Sequence, residues 1–228
     1  MFSLAGLSVA RLSVARLSVA LVLVLAPLAL AQDTKERESD TTVKDALEER
    51  SLTFKLDETP CPAFFEFLRS QADIDVVVDA TSANAVAAVG SNLTLISRDL
   101  KLKDIFDKVA TKLGVGWQVW HGAVWLTEKG KKIQEEPRVK PSNGLAKRLA
   151  EQKVTLDLDD KSLTYVADTL EQLTEQSFSI DEKVKGDQVK VTLHLSEANL
   201  ADAMAALCRL AGVELEAKDN LNVFKKRR

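Results

Sequence analysis

Apolar residues change their period several times between residues 145 and 228, and each change predicts an element. Val154, Leu156 and Leu158 alternate with Thr155, Asp157 and Asp159, the period-two pattern of a strand with one buried face. Leu163, Val166, Ala167, Leu170 and Leu173 then recur at helical spacing, after Ser162 in a capping position. Phe178 and Ile180 predict a short strand ending at Asp181, and Lys185-Gly186-Asp187 a turn. Val189, Val191, Leu193 and Leu195 alternate again as a strand. Leu200, Ala203, Met204, Leu207 and Cys208 form a second helical stripe, which Gly212 stops. Val213-Leu215-Ala217 and Leu221-Val223, either side of Asp219-Asn220, read as a closing hairpin.

The same pattern occurs earlier in the chain. At an offset of 102, residues 47–57 lie over 149–159, Leu68 over Leu170 and Asp79 over Asp181. After a loop that differs in length, the offset becomes 98: Leu93-Thr94-Leu95 meets Val191-Thr192-Leu193, Leu102 meets Leu200, Asp104 meets Asp202, and Gly114-Val115 meets Gly212-Val213. An internal repeat of this kind defines the architecture. The expected fold class is α+β, with two tandem small βαββαββ sandwich modules. The first spans 43–128 and the second 145–228 with a basic tail, Lys225-Lys226-Arg227-Arg228. Val43–Arg50 and Leu145–Gln152 add a short helix ahead of each. The segment 129–144, with Pro137, Pro141 and several lysines, has linker composition.

Residues 1–31 stand apart from this scheme. Arg11 and Arg16 precede an uncharged run, Leu17 to Leu30, and Ala29-Leu30-Ala31 matches a cleavage site, so the segment reads as a secretory signal peptide, with an uncleaved anchor as the alternative. Residues 32–42 are polar and are expected to be a flexible leader. No cysteine follows the cleavage site, which argues against a lipid anchor, and no membrane span is expected after cleavage. Composition narrows the chemistry. Lys and Arg number 31 against 34 Asp and Glu, a net charge of −3, which argues against a nucleic-acid binder. Two cysteines exclude a disulfide-dense scaffold, and two histidines leave metal chemistry without a ligand cluster. No cofactor is expected.

The succession from Val154-Thr155-Leu156-Asp157-Leu158, through Val191-Thr192-Leu193-His194-Leu195, to Leu200-Ala201-Asp202-Ala203-Met204-Ala205-Ala206-Leu207 resembles the secretin and TonB short N-terminal (STN) domain family, in two tandem copies. The resemblance implies a periplasmic domain, associated with the outer membrane, that acts by protein contact. Its expected partners are envelope proteins, a secretin or TonB-linked system among them, with self-association open. Neither a barrel nor a secretin ring domain is read in these 228 residues, so no pore, receptor or transport role is expected of the chain by itself.

Each candidate residue has a counterpart in the other copy. Cys61 aligns with Leu163 and Cys208 with Ala110, so both thiols are expected in the core. His121 falls in a turn and His194 on an outward strand face, where both read as solvent-facing. Trp117 and Trp125 align with Leu215 and Val223 and are expected in the core. Trp120 aligns with Lys218 and reads either as an exposed interface anchor or as a ring folded over its own sheet. The repeated pairs Asp79/Asp181 and Asp104/Asp202 end strands or open helices, and no nucleophile accompanies them, so no catalytic residue is assigned. The expected function is a non-enzymatic interaction module using the outer edge of each closing hairpin. Its candidate contacts are Trp120, His121 and Trp125 in the first copy, with Asp219, Leu221 and Val223 in the second. The alternative is a periplasmic small-ligand binder or enzyme using the cleft between the modules.

Overall fold

Ser51–Pro60 forms strand β1 in the computed structural model, which describes residues 38–80, 82, 85, 87–88, 90–133 and 136–227. The expected signal peptide, residues 1–31, and residues 32–37 of the expected leader lie outside the described residues. Helix α1 (Glu38–Glu49) precedes β1, which runs into α2 (Cys61–Ala72) and β2 (Val76–Val78). Then come β3 (Asn92–Lys101), α3 (Leu102–Leu113), β4 (Val115–Trp120) and β5 (Ala123–Glu128). After β6 (Val139–Lys140), the same order returns as α4 (Asn143–Glu151), β7 (Lys153–Ser162), α5 (Leu163–Thr174), β8 (Phe178–Ile180), β9 (Lys190–Asn199), α6 (Leu200–Ala211), β10 (Val213–Lys218) and β11 (Leu221–Lys226). The fold is α+β.

Local chemistry accounts for the boundaries. Ser142 and Ser162 cap α4 and α5, their hydroxyls accepting from the amides of Leu145 and Tyr165. Gly114 and Gly212 end α3 and α6 at φ +70° and +65°, a conformation that costs glycine little. In α2 the first turn carries Pro62, which is tolerated there because the first amides of a helix have no intrahelical acceptor.

Each half pairs its long strands into an antiparallel ribbon, β1 with β3 and β7 with β9. The ribbons share their irregularities. Register shifts between Leu52/Phe54 and Leu56/Thr59 recur between Val154/Leu156 and Leu158/Lys161. Positive φ at Glu58 and Asp99 returns at Asp160 and Glu197. The amide of Glu58 donates to Thr94 Oγ1 at 3.1 Å, and that of Asp160 to Thr192 Oγ1 at 3.0 Å. Each short strand returns to the hairpin, giving the sheets β2-β5-β4 and β6-β10-β11-β8. Helices pack on these sheets over two apolar cores. The core of the second half also takes in Val77, Ala123 and Trp125 from the first.

Two segments are more ordered than their composition predicts. Helix α1 starts at Glu38, inside the expected leader, and buries Val43, Ala46 and Leu47. Val139–Lys140 lies in the expected linker and pairs in parallel with Leu215 and Glu216 of β10. In both places, contacts distant in sequence offset the ordering entropy that polar composition alone could not. Cys61 and Cys208 are buried free thiols, and burial pushes the Cys208 thiol up to about 12. All the described residues belong to one compact unit, Glu36–Arg228.

Candidate functional site

The two halves meet where the β4–β5 hairpin reaches α6. The two-residue turn His121-Gly122 has φ +50° and +71°, the backbone twist that closes a tight hairpin. It delivers His121, only 3% exposed, against the first turn of α6. His121 Nδ1 lies 2.7 Å from Asp202 Oδ1, and with Asp202 ionised this nitrogen carries the proton. Ser39 of α1 donates to the other Asp202 oxygen at 2.8 Å, and Asp40 accepts the Gly122 amide at 2.7 Å. On its other side, His121 Nε2 faces Glu136 Oε1 at 3.7 Å.

A second clasp lies about two turns further along α6. Arg209, in the last turn of α6, donates through Nη2 to Asp79 Oδ2 at 2.7 Å, with the two side chains 11% and 6% exposed. Its guanidinium stands 5.7 Å over the Trp120 ring, which meets Trp125 edge-on at 4.8 Å. A third contact uses Asp75, just ahead of β2. Its carboxylate accepts from Arg69 Nε at 2.9 Å and from the Ser196 amide of β9 at 2.8 Å. These groups hold elements of the two halves together.

Burial pushes the Asp75 carboxyl above its ordinary value, against the opposing hydrogen bonds from Ser196 and Arg69. A folded value above the unfolded one means that the protonated form favours folding. That contribution is full below the ordinary carboxylate value of about 4 and is lost as pH rises through the folded value. An Asp75→Asn variant lacks the loss, so its stability relative to the wild type should increase between about pH 3 and about pH 7. Urea midpoints whose difference does not change over that range would contradict this.

The seam corrects the expected binding residues. His121 is buried and paired with Asp202, not solvent-facing, because the turn that carries it is covered by α6. Trp125 is fully buried, and Trp120 is half-buried between Trp125, His121 and Arg209. The hairpins also lack the expected outer edges. Strand β5 is central because β2 pairs beside it, and β11 is central because β8 pairs with Asn222, Val223 and Phe224. Val223 is accordingly buried, Leu221 is half-buried, and only Asp219 of that trio is exposed.

Asp75 and Arg209, which local pattern does not mark, make the seam together with Asp79 and Asp202, which read as strand-end and helix-start carboxylates. Their counterparts are Ser177, Thr111, Asp181 and Asp104, so two of the four positions differ in charge between copies. Beside Asp75 opens a groove of about 440 Å³, with Phe65, Val76, Val77 and Leu193 among its apolar lining and Asp159, Asp160 and Lys190 on its rim. His194 also borders it and pairs with Asp157. Among the described residues, no group of three His, Cys, Asp or Glu side chains could hold a metal ion, and no helix is long and apolar enough to cross a membrane.

No family model and no curated protein matches the chain. Among solved structures, a similar chain occurs in the atomic model of the Salmonella SPI-1 type III secretion injectisome basal body proteins InvG, PrgH and PrgK. It is 15% identical with a TM-score of 0.25, and the match covers 68% of this chain and 27% of that one. Likeness at that level supports no functional conclusion.

Proposed function

We propose that this chain is an exported, non-enzymatic interaction module of the cell envelope, made of two copies of one βαββαββ unit, which binds partner proteins by strand addition. The observation that carries the reading is a missing strand. The second-half sheet has four strands, with β6 laid along β10, whereas the first-half sheet β2-β5-β4 has three among the described residues. An unpaired strand edge presents a row of backbone donors and acceptors to any extended segment that can reach it. Export to the periplasm is supported by the signal-peptide pattern of residues 1–31, and an envelope partner by the resemblance to STN domains. The absence of a nucleophile with its base in the seam supports a binding role.

The test is hydrogen exchange on the chain after mild crosslinking to an envelope fraction. Protection of edge amides, in β2 or β4, is expected in the crosslinked complex. Recovery of no envelope protein, or a complex whose edge amides exchange as in the free chain, would overturn the reading. The groove between the halves is the observation that favours the alternative, a small-ligand binder.

A further inference from the structure

We propose that β2 receives a partner strand: an extended peptide, apolar at alternate positions and basic between them, that lies in the groove between the halves and hydrogen-bonds to Val76 and Val78. The proposal rests on the strand-addition reading and names the edge used and the chemistry of its ligand.

The direction of the free backbone groups follows from the ladder. The Val124 amide donates to Asp75 O at 2.9 Å and the Asp79 amide to Leu126 O at 3.0 Å, with Val77 opposite Trp125 in parallel register. Asp75, Val77 and Asp79 therefore turn their backbone groups toward β5. Val76 and Val78 turn theirs away, toward the groove that both residues line.

The repeat supplies a control for whether such an edge is closed by its own chain. In the second half β8 takes the place of β2, and Phe178 corresponds to Val76. The Phe178 amide is capped by its own helix, donating to Glu171 Oε1 at 2.7 Å. The position matching Glu171 is Arg69, and a guanidinium has donors only. Arg69 turns instead to Asp75 at 2.9 Å and to Glu66 at 3.1 Å. The substitution of a donor for an acceptor thus removes, in the first half alone, the side-chain cap that the matching edge amide has in the second.

The groove selects the ligand. Its volume of about 440 Å³ lies within the range of sites that enclose a small ligand or a few residues of extended chain. Its apolar lining of Phe65, Val76, Val77 and Leu193 suits side chains on one face of a strand. On the rim, Asp159 and Asp160 are exposed and carry no ion pair among the described residues, while Lys190 is the one cation there outside the Arg69 cluster. Two open carboxylates against one ammonium favour a basic segment.

The probe is a capped, fluorescent nonapeptide in which lysine alternates with valine or threonine, titrated into the full-length chain. The expected result is saturable binding with amide resonance shifts at Val76 and Val78. A glutamate version, and a lysine version N-methylated on the residues facing β2, should each bind at least about tenfold more weakly. Replacing Arg69→Glu together with Asp75→Ser copies the capped arrangement of the second half and should weaken binding by a similar factor. If that variant does not fold, the N-methylated peptide on the wild type decides. Equal affinity of the N-methylated and unmodified peptides would overturn the proposal. So would shifts confined to β4, an outcome that leaves the strand-addition reading standing. Failure of every peptide to bind at millimolar concentration would also overturn it, while protection of edge amides in the envelope complex would still judge the broader reading.

Discussion

Replacing Trp125 with alanine is expected to destabilise the fold by about 3–5 kcal/mol. The side chain is fully buried and, although it comes from β5 of the first half, it belongs to the apolar core of the second. Removing the indole takes away transfer free energy and leaves a cavity at the seam, where both halves must move to fill it. At about 2–4 °C per kcal/mol for a chain of this size, the thermal midpoint should fall by roughly 6–20 °C. Trp117 is the internal control. It is half-buried and packs beside Phe106, with its Nε1 donating to Asp107 at 2.8 Å, so Trp117→Ala should cost clearly less. Calorimetry of both variants checks the point. A loss below about 1 kcal/mol for Trp125→Ala would mean that the halves do not share a core.

Arg209→Met should be nearly as damaging, for an electrostatic reason. The Asp79 carboxylate is 6% exposed and sits 2.7 Å from the guanidinium, so deleting the cation leaves a buried charge without its main counter-ion. Losses of about 3–5 kcal/mol are typical when one member of such a pair is removed. The methionine keeps part of the packing near Trp120 and isolates the charge effect. The double variant Arg209→Met with Asp79→Asn removes both charges and should recover a measurable part of the loss, because a neutral pair carries no unbalanced desolvation cost. Denaturant unfolding of the four members of the cycle gives the coupling energy. Strict additivity would show that Asp79 and Arg209 contribute independently and that this clasp does not join the halves.

Much of the fold was legible from local pattern. The strand at Val154–Leu158, the stripe at Leu163–Leu170 and the stop at Gly212 each depend on residues within one turn or one pleat, which periodicity reports directly. The site was much less legible. The hairpins appeared to offer outer edges because nothing local to Phe178 or Val76 announces that these short strands return, in parallel, to a partner more than forty residues away. His121 appeared solvent-facing because its turn is polar on its own terms, and only the approach of Asp202, 81 residues later, buries it.

By itself, the amino-acid sequence determined the period of most elements, β6 and the start of α1 excepted, and its internal repeat is matched by positive φ that recurs at Glu58 and Asp160. These are properties of short stretches, set by side-chain spacing and by the conformations that glycine, serine and β-branched residues favour. Tertiary structure alone decided which faces of the two similar units meet, which hairpin strands are thereby made central, and that β2 and β4 stand at the edges of the first-half sheet. The reason is that the deciding groups differ between copies one residue at a time: Trp120 against Lys218, His121 against Asp219, Arg209 against Thr111, Arg69 against Glu171. Each change is silent in any periodic pattern, and acquires its meaning only when the chain brings it against a partner across the seam.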